Sequence, residues 1–261
     1  MNLAYDVTGT GEPVLFIAGR GGLGRTWHLH QVQTFLAAGY SVITFDNRGV
    51  GATANADGFT TETMVGDTVA LIESLGVGPV RIVGVSMGSY IAQELLVVRP
   101  DLVSQAALMA TRGRLDRARE FFRTAEDELG ASGVQIPTAY DAKIRLLESF
   151  SPKTLSNDEA VAEWISMFTT WPIKITPGLI RQGAASPQGN RLPVYRSIPN
   201  QVLVLGFADD VVTPPYLGKE VADAIPNGSY QQIAHTGHLG FLERPEIVNA
   251  AILDFFTQVP F

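Results

Sequence analysis

The sequence predicts an α/β protein whose mostly parallel sheet is covered by helices on both faces. Short, continuous apolar runs alternate along the chain with segments whose apolar residues recur every three or four positions. Continuous apolar runs are typical of parallel strands buried on both faces, and the periodic segments are typical of amphipathic helices. Because helical segments separate most of the strand candidates, we expect a doubly wound sheet.

Each strand candidate of this sheet is a short apolar run, and the runs are 14–18, 41–45, 80–85, 105–110 and 202–205. Residues 3–8 alternate in polarity and precede Gly9-Thr10-Gly11, which predicts an antiparallel hairpin at the edge of the sheet. Helical periodicity is clear at 62–75, and Gly76 is suited to end that helix. The last helix is expected to begin near Pro245, since proline is common in a first helical turn.

The alternation stops between about Thr111 and Pro199, where helix-like segments rich in phenylalanine and tryptophan follow one another. We predict a helical cap inserted over the carboxyl edge of the sheet, although extra helices packed on one face would give a similar pattern. The predicted organisation is one domain over 1–261, with a core of 1–111 and 200–261 and a cap of about 112–199.

Composition excludes several classes of protein. The 261 residues include no cysteine, which excludes disulfide scaffolds, thiolate metal sites and cysteine nucleophiles. The net charge of −7 is opposite in sign to that of a typical nucleic-acid binder. The apolar runs are too short for a signal peptide or a membrane helix, so we expect a cytoplasmic protein with neither nucleic-acid nor membrane partners.

The most specific functional motif is Gly84-Val85-Ser86-Met87-Gly88, which has the form G-x-S-x-G. It follows a predicted strand and precedes the helical run 90–98. At such a sharp strand-to-helix turn the serine hydroxyl is raised above the sheet, where it can act as a nucleophile. The alternative is a Gly/Ser turn that only caps a helix, but the strand before the motif and the helix after it favour the nucleophile.

A nucleophilic serine needs a base, and the base needs an acid that orients it. His28 and His30 precede the serine strand, whereas His235 and His238 lie between a strand-like run and the last helix. We favour His238 as the base because the Gly-His-Leu-Gly setting allows a tight loop, and we interpret His235 as a solvated residue. No acidic third ligand lies near these two histidines in sequence, so no metal site is predicted.

The acid candidates are Asp209 and Asp210, which follow the predicted strand 202–205. One can orient the histidine while the other caps a turn or the next helix. The chain order Ser86, Asp209 or Asp210, then His238 is the Ser…Asp…His order of a G-x-S-x-G hydrolase.

With these residues the chain resembles the α/β-hydrolase family over nearly its whole length, and more narrowly the cofactor-free bacterial haloperoxidase and esterase branch. The segments that carry the resemblance are IAGRGG, FDNRG, VGVSMG, ATRGRLDRAR, GFADDVVTPPYLG and GHLGF. In that family the acid commonly precedes a proline by four residues, which selects Asp210 before Pro214. Counting three residues from Gly206 selects Asp209 instead, which stays the alternative. The resemblance implies an α/β-hydrolase fold and no cofactor.

Hydrolysis of an acyl compound also needs donors for the negative charge that develops on the carbonyl oxygen. One donor is expected to be the backbone amide of Met87, the residue after the nucleophile. The resemblance implies that the second is the backbone amide of Arg20, in the loop after the first parallel strand, where Ala18 replaces a frequent histidine. The glycines of this loop lack the lysine and the spacing of a nucleotide-binding loop, so no phosphate site is expected.

Candidate substrate-binding residues lie in the predicted cap. Arg112 or Arg114 could attract a carboxylate substrate, and the alternative for this basic run is a solvated helix face. Trp164 and the other aromatic residues are expected to form the core of the cap and, secondly, the wall of an apolar acyl pocket. The sequence leaves open whether the chain forms a homo-oligomer.

The sequence thus predicts a serine hydrolase for a small or medium carboxylic ester or another acyl compound. Ser86 attacks the carbonyl, His238 moves the proton and Asp210 orients the imidazole. With hydrogen peroxide in place of water the product is a peracid, so the resemblance to non-haem bromoperoxidases implies no redox cofactor. Two alternatives remain: a C–C bond hydrolase or menaquinone-pathway-type lyase that uses the same residues, and a ligand receptor, a class that often lacks a triad member.

Overall fold

A computed structural model describes residues 3–53, 59–172, 176–184 and 189–258. The strands of the described part form one sheet in the order β1-β3-β2-β4-β5-β6-β7. They are β1 (Tyr5–Thr8), β2 (Pro13–Ile17), β3 (Ser41–Phe45), β4 (Val80–Val85), β5 (Val103–Met109), β6 (Gln201–Phe207) and β7 (Gly228–Ile233). Only the pairing of β1 with β3 is antiparallel among these neighbours, and the other pairs are parallel.

The α-helices of the described part lie between the strands and after the last one. They are α1 (Gln31–Ala37), α2 (Thr61–Leu75), α3 (Met87–Val98), α4 (Arg117–Ser132), α5 (Thr138–Ser149), α6 (Pro152–Leu155), α7 (Asp158–Thr170), α8 (Pro177–Ala184), α9 (Leu192–Tyr195), α10 (Pro215–Ala224), α11 (Gly240–Glu243) and α12 (Pro245–Thr257). Helix α2 ends at Gly76, whose φ of 64° gives the left-handed cap that the sequence predicts. Within the described ranges, no helix is both long and apolar enough to cross a membrane.

Apolar side chains cover both faces of the sheet. Successive residues of β2 point to opposite faces: Leu15 packs in a cluster with Ile91 of α3, whereas Phe16 packs in a second cluster with Phe35 of α1 and Ile252 of α12. All of these side chains are at most 1% exposed, and burying each one stabilises the fold by roughly 1.5–3 kcal/mol. The predicted doubly wound arrangement is therefore confirmed.

The strand predictions differ from the structure mainly at one edge. The runs 41–45 and 80–85 have the bounds expected, and the ends of the other runs are offset by at most two residues. The predicted edge hairpin is wrong, because β1 pairs with β3 and not with β2, the next strand in sequence. Both sides of β2 are occupied by the parallel partners β3 and β4, so β1 can pair only with the free side of β3.

Residues 112–199 separate β5 from β6, and we refer to them as the cap segment. Where the structure describes them, they carry helices α4 to α9. The side chain of Gln182 accepts a hydrogen bond from the Gly21 amide at 2.8 Å and donates one to the Arg48 carbonyl at 2.8 Å. The Ser149 carbonyl accepts a hydrogen bond from the Leu239 amide at 3.0 Å. Helices α8 and α5 therefore contact loops that leave the carboxyl ends of β2, β3 and β7.

Candidate active site

Ser86 occupies the turn between β4 and α3. Its backbone has φ 52° and ψ −118°, a conformation that residues with a side chain rarely adopt. The Ser86 amide donates to the Met109 carbonyl of the neighbouring strand at 3.0 Å, which fixes the turn against β5. Strained backbone of this kind persists only where the surroundings enforce it, and it concentrates at functional sites.

The two glycines of the motif are required by close packing around this turn. A Cβ atom on Gly88 would lie 2.1 Å from the carbonyl oxygen of Ile17, and one on Gly84 would lie 2.8 Å from the carbonyl oxygen of Gly88. Neither position can hold a larger side chain unless the backbone moves. The spacing of the motif therefore follows from how closely α3 approaches β4 and β2.

Asp210 and His238 are brought into direct contact. The Nδ1 atom of His238 lies 2.8 Å from Oδ2 of Asp210, whose side chain has no exposed surface. The other carboxylate oxygen, Oδ1, accepts hydrogen bonds from the amides of Val212 and Thr213, both at 2.8 Å. Because a carboxylate can only accept, we assign the proton to Nδ1, which leaves Nε2 of His238 as the basic nitrogen.

The expected division of roles between the two aspartates is wrong. Asp210 both contacts His238 and accepts the amides of the turn that follows it. Asp209 is half-buried, and its amide donates to the Thr236 carbonyl at 2.8 Å. One carboxylate can take both roles because its two oxygens face in different directions, one towards the imidazole and one towards the backbone.

The loop that carries His238 is held by Glu243, a buried residue that the sequence analysis missed. The Glu243 carboxylate accepts from the Gly237 amide at 2.6 Å and from the Ser151 amide at 3.0 Å. Glu243 therefore joins the histidine loop to the cap segment. The sequence gives no signal for this role, since a glutamate beside an arginine in a short helix is usually exposed. His235 is exposed, as predicted, with φ 57°.

The loop that contains Arg20 lies beside the serine. A Cβ atom on Gly19 would be 3.3 Å from Cβ of Ser86. The Arg20 side chain turns towards the cap segment, where it donates to the Leu179 carbonyl at 3.2 Å and pairs with Glu126. On the other side of the serine, the Met87 amide is the first of helix α3, so no carbonyl of that helix can accept from it.

The three predicted substrate-binding residues, Arg114, Arg112 and Trp164, differ in the side chains that they contact. Arg114 forms a two-bond ion pair with Glu220, at 2.7 and 2.6 Å, which raises the pKa of the Arg114 guanidinium. The guanidinium carbon of Arg112 lies 5.0 Å from the centre of the Tyr90 ring. Trp164 packs against Phe150, with ring centres 4.4 Å apart.

One further acidic residue, Glu148, lies near the site and within range of the charge of Glu126. Glu148 is exposed overall, but partial burial of its carboxyl, together with the negative charge of Glu126, raises the pKa of that carboxyl. Glu148 precedes Ser149, whose carbonyl contacts the residue after His238.

Nowhere in the described ranges do three or more histidine, aspartate or glutamate side chains form a group that could hold a metal ion.

Residues 14–251 match a family model described as the alpha/beta hydrolase family. The chain belongs to this family. It is 70% identical over 259 residues, 99% of each chain, to the protein named "Putative non-heme bromoperoxidase BpoC" of Mycobacterium tuberculosis (strain ATCC 25618 / H37Rv). A crystal structure of that protein matches with a TM-score of 0.98 and 68% identity, over 100% of this chain and 97% of the other.

Two more distant relatives match nearly the whole chain of this alpha/beta hydrolase. A thermophilic esterase from Thermogutta terrifontis is 26% identical, with a TM-score of 0.81 over 98% of this chain and 93% of that one. The "Putative carbamate hydrolase RutD" of Serratia proteamaculans (strain 568) is 26% identical over 261 residues, 97% of this chain and 96% of that protein. The chain is therefore an enzyme of the family that its motifs resemble, and the predicted resemblance to the haloperoxidase branch is confirmed.

Proposed function

We propose that this alpha/beta hydrolase cleaves small or medium carboxylic esters with Ser86 as nucleophile, His238 as base and Asp210 as the orienting acid. The observation that carries the proposal is the 2.8 Å contact between His238 and Asp210, on a loop at the same sheet edge as a strained serine. A strained nucleophile turn and an oriented imidazole are the parts that acyl transfer requires.

In the proposed reaction, Oγ of Ser86 attacks the ester carbonyl while Nε2 of His238 accepts the hydroxyl proton. The Met87 and Arg20 amides donate to the resulting oxyanion. His238 returns the proton to the leaving alcohol, which departs as the acyl-enzyme forms. Water then attacks the acyl carbon, gives its proton to His238 and releases the acid, while Ser86 regains its proton.

The same acyl-enzyme would react with hydrogen peroxide to release a peracid, which can oxidise bromide in solution. Support for this side activity comes from the likeness to the relative named a bromoperoxidase. Trp164 belongs to an aromatic cluster that also contacts Leu239, the residue after His238. We therefore assign Trp164 to the wall of an apolar acyl pocket.

The direct test is hydrolysis of p-nitrophenyl butyrate together with labelling by a fluorophosphonate probe. Ser86→Ala and His238→Asn are expected to lose both signals, whereas the matched variant His235→Asn keeps them, because asparagine tolerates the positive φ at that position. Full turnover by Ser86→Ala would overturn the mechanism. Labelling of Ser86 without any ester turnover would overturn the ester assignment and favour C–C bond cleavage by the same residues.

A further inference from the structure

Tyr90 is a buried residue whose hydroxyl lacks a hydrogen-bond partner within the part of the chain that the structure describes. The residue is 4% exposed and its hydroxyl oxygen is fully enclosed. Buried polar atoms nearly always have a partner, and an unmade hydrogen bond there destabilises the fold. Burial raises the pKa of Tyr90 to about 12, so the hydroxyl keeps its proton at neutral pH and remains a donor.

Arg112 supplies a cation over the Tyr90 ring. Its half-buried guanidinium lies over the Tyr90 ring and forms no ion pair within the described ranges, whereas nearby Arg114 and Arg191 are paired with Glu220 and Glu94. The Arg112 backbone is fixed, because its carbonyl accepts a hydrogen bond from Nε2 of Gln93 at 3.2 Å. The arginine is therefore held in place with its charge uncompensated by a neighbouring acid.

Tyr90 lies on the helix that begins at the nucleophile turn. Tyr90 follows Ser86 by one turn of α3, which separates the two residues by about 6 Å along the helix axis. Together with Gly113 and Arg114, Tyr90 and Arg112 line a recess of about 10 Å³, enough for roughly one water-sized group. The negative charge of Asp210 also acts on the Tyr90 hydroxyl, so the recess lies within electrostatic range of the acid–base pair and binding of an anion there depends on the positive charge of Arg112.

We propose that Tyr90 and Arg112 form a carboxylate subsite, so that the preferred substrates are esters that carry a second, free carboxylate a few bonds from the scissile carbonyl. In this subsite one carboxylate oxygen enters the water-sized recess and accepts from the Tyr90 hydroxyl, while the other oxygen stays outside the recess and accepts from the Arg112 guanidinium. A carboxylate there replaces the missing partner of Tyr90 and neutralises Arg112. This assignment rests on the serine-hydrolase function proposed above.

The kinetic test compares charged esters with neutral esters of the same shape. p-Nitrophenyl hydrogen glutarate and its methyl ester place the carboxylate on the acyl side, while 4-acetoxybenzoate and its methyl ester place it on the alcohol side. We expect the wild type to prefer one charged ester over its neutral partner by about 10- to 100-fold in kcat/KM. The side that shows the preference identifies where the carboxylate belongs, and no preference on either side overturns the proposal.

Variants separate this subsite from a general charge effect. Arg112→Gln and Tyr90→Phe are expected to bring the charged-to-neutral ratio close to one, whereas Arg117→Gln, an exposed arginine of α4, keeps the wild-type ratio. Tyr90→Phe is also expected to be at least as thermostable as the wild type, because it removes a hydroxyl without a partner. A less stable Tyr90→Phe variant with an unchanged ratio would assign Tyr90 a structural role and overturn the proposal.

Binding of glutarate to the Ser86→Ala variant, measured by calorimetry, makes the subsite testable without turnover. An additional Arg112→Gln substitution is expected to weaken that binding by about 10- to 100-fold. If the wild type hydrolyses no ester but glutarate binding depends on Arg112, the proposed function fails and the subsite stands. If neutral esters are hydrolysed and glutarate does not bind, the hydrolase stands and the subsite is overturned.

Discussion

The hydroxyl of Thr213 touches both members of the proposed acid–base pair. Its Oγ1 atom lies 2.7 Å from Oδ2 of Asp210 and 3.2 Å from Nδ1 of His238. Oδ2 of Asp210 therefore accepts from the threonine and from the imidazole together, while Oδ1 accepts the amides of the turn. The threonine fixes the rotation of the carboxylate towards the histidine.

Loss of this hydroxyl is expected to lower turnover more than substrate affinity. In Thr213→Val the Asp210 carboxylate loses one hydrogen bond, which should cost about 1 kcal/mol of stability and roughly tenfold in kcat. Ester kinetics and urea denaturation measure the two effects. Thr213→Ser keeps the hydroxyl and should stay near wild type, and a fully active Thr213→Val would show that the contact does not orient the acid.

Asparagine substitutions discriminate between the two adjacent aspartates. Asp210→Asn replaces the acceptor that faces Nδ1 of His238 and favours the wrong tautomer, so kcat should fall by about 10⁴-fold. Asp209→Asn is expected to lose far less, since its backbone amide, which the substitution keeps, makes the contact with Thr236. Turnover of p-nitrophenyl butyrate by the two variants decides the assignment. The reverse order of losses would make Asp209 the acid.

The same change at two glycines should have opposite effects on stability. Gly88→Ala places a methyl group 2.1 Å from the Ile17 carbonyl and should destabilise the protein by about 1–3 kcal/mol or more. Gly66→Ala, in the exposed middle of α2, meets no atom within 4 Å and should stabilise it by about 0.5–1 kcal/mol. Urea midpoints measure both. Equal stability of the two variants would contradict the packing argument.

Replacement of Glu148 should make stability less dependent on pH. Partial burial and the charge of Glu126 raise the pKa of Glu148 above 4.5, so the folded state disfavours the ionised carboxylate, although only slightly because the residue is exposed. That penalty is absent below the unfolded pKa and appears as the pH rises through the folded pKa. Glu148→Gln should therefore melt at a higher temperature than the wild type at pH 8 and at nearly the same temperature near pH 4. A difference that grows on acidification would have the wrong sign.

Local signals allowed the sequence to predict the strand–turn–helix around Ser86 at the candidate site, whereas contacts between distant residues were not predictable. The turn around Ser86 needs only the strand before it, the helix after it and two glycines, all within a few residues. The contact of Glu243 with Ser151 joins residues 92 positions apart, and that of Arg114 with Glu220 joins residues 106 positions apart. Such pairs leave no pattern in the sequence. The sequence therefore could not show that Arg114 is neutralised by Glu220 whereas Arg112 forms no ion pair within the described ranges.

The pairing partner of β1 was predicted wrongly for the same reason, because it depends on contacts between distant parts of the chain. Its alternating residues identify an edge strand, but the choice between β2 and β3 depends on which strand still has a free side after the parallel sheet is built. A short glycine-containing link to β2 favoured a hairpin locally. In the completed sheet both sides of β2 are already paired, so a hairpin of β1 with β2 cannot form.

The two hydrogen bonds of Gln182 attach helix α8 to the loops that follow β2 and β3, which limits how the cap segment can be redesigned. Any redesign that lifts α8 away from the sheet releases the Gly21 amide and loosens the loop of Arg20, the proposed oxyanion donor. A broader substrate range obtained by moving α8 should therefore come with slower catalysis. Helix α4 buries none of its side chains, so it is the better place to alter the cap segment in directed evolution.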